Sequence, residues 1–458
     1  MFHAKNNIFF IIDKFGLNKS IAYSSGARVV SGVAGVVSVF FIASFLSKTE
    51  QGFYYTFSSI LALQIFFELG LTSIMTQYVS YEASHLKMGS EYQYEGDNKY
   101  LSRLSSLVSF CIKWYSLLSI IVFIFLCVLG SLFFEKYYSN GNDDVSWKLP
   151  WILVCAGTAI KLFQSPLNSI LMGLGFVKEI SKITFFQQLI PPIVIWIGLI
   201  CGLKLYVTGI GYLLSVLLWG VYAWNTRLLR ILINILRNQI TEKVYYFKEI
   251  FPYQWRIAIS WVSGYFIYQL FNPVLFATEG PIVAGQMGIS LQAINAIIAF
   301  SYSWINTKVP LYSSLIAKKD YNSLDRIFNQ TLKQEVLVCA LLIAMLFAFL
   351  FLCRMLHIQL GNSLLADRFL DYFPILMLAI PAFLMQFINS WATYLRCHKK
   401  EPFLAYSVVA AVLNCISTFL FGKMFGLYGI TIGYCIISLV LFPWGHHIYI
   451  VKRREWHK

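Results

Sequence analysis

The chain has 458 residues, of which 58% are hydrophobic and only 12% are charged. A soluble protein needs more charged residues on its surface, so this composition excludes a soluble fold and indicates an integral membrane protein with helical spans. The net charge of +15 could point to nucleic acid in a soluble protein. In a membrane protein, the basic residues must first be assigned to one side of the membrane or the other. The sequence predicts no nucleic-acid partner.

The first two predicted spans form a hairpin. Apolar runs at 29–46 and 53–75 are joined by the short polar turn 47–52, and each run is long enough to cross a hydrocarbon core of about 30 Å. Arg28 lies where the first run begins, and Glu68 lies well inside the second. An ionised side chain at that depth costs several kcal/mol unless it is paired or hydrated. These charges predict a polar interior.

Further apolar runs between charged or turn-rich breaks predict an all-α polytopic membrane protein of about twelve spans. Lys and Arg are concentrated in alternate loops, and this bias predicts that both termini face the cytoplasm. The predicted spans lie at 22–46, 53–78, 106–134, 149–173, 183–203, 205–225, 254–277, 281–306, 334–356, 370–395, 403–422 and 427–450.

The two halves of the chain repeat a pattern at one constant spacing. Tyr206 and residues 210–212 (Ile-Gly-Tyr) recur as Tyr428 and residues 432–434. This repeat predicts a duplicated six-helix unit. Because six is an even number, both copies have the same orientation, as in transporters that rock two bundles around a central site.

The repeat predicts two six-helix bundles, at 1–225 and 253–458, with a cytoplasmic linker at 226–252. Within the linker, leucines and isoleucines follow helical spacing between Arg227 and Arg237. This pattern is typical of a basic amphipathic helix on an anionic membrane surface, although a solvated helical linker fits it too.

Lys161 is the strongest candidate for a functional charge. It lies about twelve residues, or about 18 Å, into its span and so near the middle of the membrane. Such a lysine must face a wet substrate path or pair with an acid, for which Glu68 is the candidate. Gln164 and Asn168 follow on the same helix and are further predicted substrate-binding residues, and Pro166 between them can open the helix locally.

Two arginines occupy matching positions in the halves, Arg28 and Arg256. They are predicted substrate-binding residues at one mouth of a cavity, unless their long stems carry the charge to the inner surface. Glu68 has no counterpart in the repeat. It is a predicted proton or sodium coupling site, with a structural salt bridge as the alternative.

Several motifs are absent from the sequence. There is no phosphate-binding G-x-x-x-x-G-K-[ST], no H-E-x-x-H and no G-x-S-x-G, and the outer loops are too short to hold a catalytic domain. The nine cysteines fall mostly in apolar runs without metal-ligand spacing. The sequence therefore predicts a transporter, not an enzyme, with no catalytic residue, metal or cofactor.

The stretch Gly52 to Leu71, GFYYTFSSILALQIFFELGL, continues through Gln77 to His85. It resembles the second-helix region of bacterial O-antigen flippases, the Wzx-type polysaccharide exporters. The predicted layout of twelve spans in two halves extends the resemblance over nearly the whole chain.

This resemblance implies a multi-pass protein of the bacterial inner membrane in the multidrug/oligosaccharidyl-lipid/polysaccharide exporter superfamily, with two six-helix bundles (MATE-like). It also implies the cargo, an undecaprenyl-pyrophosphate-linked oligosaccharide turned from the cytoplasmic to the periplasmic leaflet. The implied partners are this lipid-linked cargo, the membrane lipids, a coupling proton or sodium ion and the proteins of polysaccharide assembly.

Two other functions stay open. A drug or metabolite antiporter of the same superfamily would share the fold, although a cationic interior argues against cationic cargo. An O-antigen polymerase or ligase would need catalytic residues in a substantial outer loop, and the sequence has no such loop.

Overall fold

The computed structural model of the chain describes residues 19–89, 93–138, 145–360, 363–398 and 400–456. These ranges consist almost entirely of α-helix, and their two short antiparallel hairpins lie in loops between helices. Helices lie at the positions of all the predicted spans. The prediction of an all-α polytopic protein is therefore confirmed.

The elements of the first half are given in chain order. They are α1 (Lys19–Phe45), α2 (Lys48–Leu61), α3 (Ile65–Glu68), α4 (Leu71–Ala83), the paired strands β1 (Leu86–Met88) and β2 (Tyr94–Gly96), α5 (Asn98–Tyr138), α6 (Lys148–Gly173), α7 (Val177–Ile200), α8 (Tyr206–Asn225) and α9 (Leu228–Arg237).

A π-helical turn at Tyr246–Ile250 opens the second half. It is followed by α10 (Phe251–Tyr268), α11 (Phe271–Thr278), α12 (Pro281–Ala317), α13 (Tyr321–Met355), the paired strands β3 (Gln359–Leu360) and β4 (Ser363–Leu364), a 3₁₀ turn (Leu365–Arg368), α14 (Tyr372–Arg396) and α15 (Leu404–Trp456).

Seven helices in the described ranges are long and apolar enough to cross a membrane: α5, α7, α8, α12, α13, α14 and α15. The predicted spans 53–78 and 254–277 are each interrupted, by the breaks between α2 and α4 and between α10 and α11. The last two predicted spans are joined in α15, which kinks at Gly426. Helix α6 is more polar than the seven because it includes Lys161, Gln164 and Asn168.

Apolar side chains are exposed along the length of α5 and α13. Because lipid chains replace water around a spanning helix, this exposure is what membrane contact requires. The exposed residues include Leu117, Ile120, Ile121, Ile124 and Val128 on α5, and Leu337, Leu341 and Met345 on α13.

Several helix starts follow from local sequence. At α2 the Ser47 hydroxyl accepts a hydrogen bond from the Glu50 backbone N–H (3.0 Å), and the Glu50 carboxylate accepts one from the Ser47 N–H (2.8 Å). This capping box satisfies amide groups that the first helical turn leaves unpaired. At α13 the Asp320 side chain caps the Ser323 amide in the same way.

The chain divides into two compact units. The first takes in Met1–Ala34, Leu63–Glu135 and Ser146–Ala258, and the second takes in Gly35–Ala62, Lys136–Val145 and Ile259–Lys458. In the first unit α6 packs against α4, α7 and α8, and in the second α12 packs against α2, α11, α13 and α14. The bundle boundaries drawn from the sequence repeat, 1–225, 226–252 and 253–458, stay a prediction.

The helix expected between Arg227 and Arg237 is present as α9. Four of its apolar residues are buried within the first unit, and α9 packs against α8. The Ile235 carbonyl also accepts a hydrogen bond from Ser105 on α5 (2.8 Å). Protein covers these four side chains, whereas Ile233 and Leu236 are exposed, and contact of α9 with a lipid surface stays a prediction. The buried residues are Leu228, Ile231, Leu232 and Ile235.

Helices α2 and α12 approach each other closely within the second unit. A Cβ atom added at Gly52 would lie 2.0 Å from the Pro281 carbonyl oxygen, and one added at Gly285 would lie 2.8 Å from the Gly52 amide nitrogen. Small residues at such a crossing let two membrane helices meet at backbone distance. Beside this crossing the Gln51 amide donates to the Gly285 carbonyl (2.8 Å).

We expect Gly52→Ala to lower the thermal stability of the detergent-solubilised protein by several degrees, because an overpacked contact costs about 1–3 kcal/mol and the atom in the way is backbone. Gly264→Ala is the matched control, since a Cβ there meets nothing within 4 Å. Fluorescence-detected thermal unfolding measures both variants. Equal midpoints for the two would contradict the close approach.

Candidate functional site

The candidate site of the first unit lies at the break in the second predicted span. Helix α3 ends at Glu68, and Leu69 (φ 49°) and Gly70 (φ 68°) adopt left-handed backbone conformations before α4 begins. The Leu69 carbonyl, freed by the break, accepts a hydrogen bond from the Gln254 side chain (3.4 Å). Broken helices of this kind occur in membranes only where protein or a wet cavity satisfies the backbone.

The Glu68 carboxylate is hydrogen-bonded but, among the described residues, not ion-paired. Its Oε1 accepts from the Thr72 hydroxyl (2.7 Å) and, at the limit of a hydrogen bond, from the Ser165 hydroxyl (3.5 Å). The buried hydroxyl of Tyr115 on α5 interacts electrostatically with Glu68 and has no hydrogen-bond partner in the described ranges. The surroundings of Glu68 thus include a donor that water or a substrate oxygen could engage.

Lys161 lies one helical turn before Ser165, on the helix that contacts Glu68. Its side chain is exposed, and its Nζ lies 5.1 Å from the centre of the Tyr212 ring on α8. The ion pairs of the described residues include none between Lys161 and Glu68. An ammonium group without an acidic partner in a predicted span needs water or an anion, because the ring alone supplies only about 0.5–2 kcal/mol.

Gln164 and Asn168 bond to neighbouring helices. Gln164 is buried, donates to the Val216 carbonyl (3.1 Å) and accepts from Gln187 (3.3 Å). The Asn168 Oδ1 accepts from the Trp219 indole (2.6 Å). These bonds hold α6 to α7 and α8 on the face that includes Lys161. Substrate binding by the two amides stays a prediction.

The two arginines of the predicted cavity mouth, Arg28 and Arg256, belong to α1 and α10. Their side chains lie outside the part of the chain that the structure describes. Cavity lining and surface snorkelling both stay predictions for them.

An ion-pair cluster that the sequence reasoning missed lies at one end of α4. Arg103 donates from Nε to Glu82 (2.9 Å) and from Nη2 to Glu249 (2.6 Å), while the Tyr78 hydroxyl donates to the Glu249 carbonyl (2.6 Å). Glu82 is almost fully buried. In the sequence, only the position of Glu82 inside the stretch 77–85 pointed to this cluster. Its other members, Arg103 and Glu249, lie elsewhere along the chain.

The charge of Glu249 is stabilised by this cluster. Burial opposes the charged form, but the hydrogen bonds from Arg103 and from the Tyr245 N–H outweigh it, so the pKa of Glu249 lies below its ordinary value of 4.5. Glu249 therefore stays ionised at neutral pH, and the cluster ties α4, α5 and the turn before α10 together.

Metal chemistry has no site in the described part of the chain. No three His, Cys, Asp or Glu side chains lie close enough together there to hold a metal ion. Near the helix break the described residues bring together one cation, Lys161, one carboxylate, Glu68, and hydroxyl and amide groups.

We expect Arg103→Gln to cost about 3 kcal/mol of stability at neutral pH, because it leaves the buried Glu82 without its cation. Because the pKa of Glu249 is lower in the folded state than in the unfolded state, its ionised carboxylate stabilises the fold at pH values above the unfolded pKa. This contribution is lost as the pH falls through the folded pKa of Glu249. The difference in unfolding midpoint from wild type should therefore shrink below about pH 4.5.

The matched control for Arg103→Gln is Arg354→Gln, which breaks the exposed Arg354–Asp371 pair (2.6 Å). An exposed pair contributes about 0–1 kcal/mol, so this variant should unfold close to the wild-type midpoint at neutral pH. An equal loss in both variants, or a pH-independent difference for Arg103→Gln, would contradict the assignment.

Comparison with known proteins gives structural relatives only. No family model matches the sequence, and no curated protein matches it. Among solved structures, a multidrug resistance MATE family transporter of the MOP superfamily in an inward-facing conformation aligns with a TM-score of 0.67 and 14% identity, over 94% of this chain and 99% of that chain.

Two further structures align over nearly all of the chain. The lipid II flippase MurJ, in an inward closed conformation, has a TM-score of 0.61 and 13% identity over 94% of this chain and 90% of that chain. The MATE multidrug transporter DinF-BH has a TM-score of 0.55 and 12% identity over 94% of this chain and 95% of that chain. At such low identity the likeness establishes the fold: the chain is a multi-pass, all-α membrane protein with the MATE-like architecture.

Proposed function

We propose that the chain is a flippase for lipid-linked oligosaccharides, a transporter rather than an enzyme. Its cargo is an undecaprenyl-pyrophosphate-linked O-antigen or related polysaccharide repeat unit. Alternating access moves this cargo from the cytoplasmic to the periplasmic leaflet of the bacterial inner membrane, with both termini of the chain in the cytoplasm. Membrane lipids and the proteins of polysaccharide assembly are its proposed partners.

The observation that carries the proposal is the state of Lys161. The residue is exposed, but its ammonium group lies against Tyr212 and has no acidic partner in the described ranges. A pyrophosphate needs cations of this kind when it leaves water, and an aromatic ring beside the cation suits the face of a sugar. Since Lys161 lies near the middle of its helix, it is placed to meet a headgroup in transit.

The remaining predicted residues complete the proposed path. Arg28 and Arg256 are proposed to receive the pyrophosphate at one mouth. Gln164 and Asn168 lie one and two turns beyond Lys161 and are proposed to offer amide groups to sugar hydroxyls, each of which costs kcal/mol if left unpaired in hydrocarbon. The lipid tail can stay in the bilayer while the headgroup passes.

The fold supports transport of two kinds of cargo. The structural relatives include a protein named as a lipid II flippase and proteins named as multidrug transporters. The resemblance at Gly52–Leu71 and the cationic Lys161 favour an anionic lipid-linked cargo over a cationic drug. The second candidate function, an ion-coupled drug or metabolite antiporter, rests on the multidrug relatives.

Ion coupling is assigned to Glu68. A carboxylate at a helix break, held by Thr72 and Ser165 and close to the unpartnered Tyr115 hydroxyl of the described ranges, can exchange a proton or sodium ion as its surroundings change. Because Ser165 and Lys161 are one turn apart on α6, binding of an anion at Lys161 and loading of Glu68 would influence each other electrostatically.

We expect Lys161→Ala to abolish most surface polysaccharide in a host whose own copy of the gene is deleted, and to trap the lipid-linked repeat unit in the cytoplasmic leaflet. The reason is loss of the cation that replaces water around the pyrophosphate. Lys161→Arg should retain part of the activity. The measurements are surface polysaccharide, the leaflet of the intermediate and the amount of protein in the membrane.

Lys182→Ala is the matched control, since Lys182 also lies against a tyrosine ring, that of Tyr222 (5.7 Å), but near the start of its helix. It should rescue the deletion fully. An intermediate that reaches the periplasmic leaflet without being polymerised would support an enzyme instead. Unchanged polysaccharide with altered resistance to cationic compounds would support the antiporter.

We expect Glu68→Gln to lose the dependence of transport on a proton or sodium gradient while the protein level stays normal. The amide keeps the shape and the hydrogen bonds but cannot take or release an ion. Flipping in vesicles with imposed gradients is the measurement, and Glu135→Gln, at an exposed ion pair with Lys148, is the control. Full gradient-dependent activity of Glu68→Gln would remove Glu68 from the mechanism.

A further inference from the structure

A second interior carboxyl lies in the second unit. Glu335 on α13 has an exposed fraction of 0%. It lies about 20 Å along its helix from the start at Tyr321, at the beginning of the predicted span 334–356. Within the described part of the chain, no lysine, arginine or histidine forms an ion pair with it.

The groups around Glu335 form a polar cluster from three packed helices, which we call the Glu335 cluster: Glu335 and Cys339 on α13, Gln386 and Ser390 on α14, and Ser301 on α12. The Ser390 hydroxyl donates to the Glu335 Oε2 (2.6 Å). Every member is buried, with exposed fractions of 0%. The Gln386 side chain reaches the Ile298 carbonyl on α12 only at the limit of a hydrogen bond (3.5 Å).

Three oxygen atoms of this cluster lack a hydrogen-bond partner among the described residues. They are the Glu335 Oε1, the Gln386 Oε1 and the Ser301 hydroxyl oxygen, and the Cys339 thiol lies beside Gln386 and Ser301. Buried polar atoms in proteins are nearly always satisfied, and each exception needs a physical account. Here two of the three unsatisfied atoms, the carboxyl and amide oxygens, can only accept a hydrogen bond while the carboxyl is ionised. In the structure neither of these two oxygens receives a hydrogen bond from the Ser301 hydroxyl or the Cys339 thiol.

A lone carboxylate in this position would be costly. Burying an ionised group without a counter-charge costs many kcal/mol, and proteins respond by neutralising the group or by binding a cation. A proton on Glu335 removes the charge and makes Oε1 a hydrogen-bond donor rather than an unsatisfied acceptor.

The titratable groups that face Glu335 do not supply a competing charge. They are the Cys339 thiol on its own helix and the phenols of Tyr302 and Tyr312 on α12. The α14 members of the cluster, Ser390 and Gln386, do not titrate. The nearest cation on α14, Arg396, is already paired with Glu401 (2.7 Å).

We propose that the Glu335 cluster is a proton-binding site, in which the Glu335 carboxyl is protonated in the state described here and gives up its proton in another state of the transport cycle. Loading forms one O–H bond at Oε1 with a proton from water, and release breaks that bond and returns the proton to water. The inference deepens the proposed transport function and rests on it for the role of the site. It adds a second ion site to Glu68, on the other unit.

The site requires a route for the proton. Beyond Glu335, toward the start of α13, lie Thr331, the buried Tyr312 hydroxyl and then Asp325. Asp325 accepts from Tyr394 and from Arg453 (Nε, 3.0 Å) and is partly exposed. These hydroxyl and carboxyl groups are polar side chains between Glu335 and the start of its helix.

Infrared spectroscopy on the purified protein in lipid tests the site without any cargo. We expect a protonated-carboxyl C=O band at neutral pH that shifts in deuterated buffer, is absent in Glu335→Gln and is kept in Glu68→Gln. Glu335→Gln preserves the acceptor for Ser390 and so should fold. Ser390→Ala should shift the band to higher frequency, because the carboxyl then loses a hydrogen bond.

Absence of the band in folded wild-type protein, or its persistence in Glu335→Gln, would overturn the proposal. So would a band that appears only when sodium is removed, since that result identifies a metal-cation site. The outcome is independent of the flippase assignment. If the Glu335 band is present but deletion of the gene leaves surface polysaccharide unchanged, the proposed cargo is refuted and the proton site is retained. If the band is absent but deletion abolishes surface polysaccharide, only the proton site is refuted.

Discussion

Hydrocarbon offers no hydrogen bonds, and this constraint decides where the chain can depart from regular helix. The break after Glu68 frees the Leu69 carbonyl, and the Gln254 side chain on α10 donates a hydrogen bond to it (3.4 Å). A break held in this way places a carboxylate beside unwound backbone rather than within a rigid helix. The candidate site of the first unit depends on that one arrangement.

The interior polar groups fall into two classes by how completely they are bonded. Gln164, Gln187 and Asn168 use their amides to bond neighbouring helices, and such bonds fix helix positions. Lys161, the Tyr115 hydroxyl and the Glu335 Oε1 have no hydrogen-bonded or ion-paired partner in the described ranges. An unsatisfied polar group in a membrane interior is costly, so these are the groups for which a ligand, water or a proton provides the best physical account.

The sequence was sufficient for the class of fold and for the positions of the long apolar helices, because a run of apolar residues long enough to cross a bilayer is a local signal. It was insufficient for the break between α2 and α4. Gly70 weakly indicates a break, because glycine adopts left-handed backbone readily. Leu69 gives no such indication in the sequence, although it is also left-handed in the structure. Local hydropathy also cannot reveal that the interruption is supported by Gln254, far along the chain.

The site residues were predictable to different extents for the same reason. Depth alone identified Lys161 and Glu68, since depth can be counted along a helix. The Arg103 cluster and Glu335 were missed because their significance comes from partners far away in sequence, Glu249 and Ser390. At the start of its apolar run Glu335 reads as an interfacial acid. Only packing against α12 and α14 makes it a buried one.

The contact between α2 and α12 has a consequence for synthesis of the chain. The Tyr55 hydroxyl donates to Gln292, 237 residues further on (2.6 Å), and Gly52 lies against Pro281. At about 5–20 residues per second, α2 enters the membrane roughly 12–50 s before its packing partner exists. During that interval, lipid or an insertion factor must cover the face of α2 that will later contact α12. The first hairpin to be synthesised is therefore among the last to complete its packing.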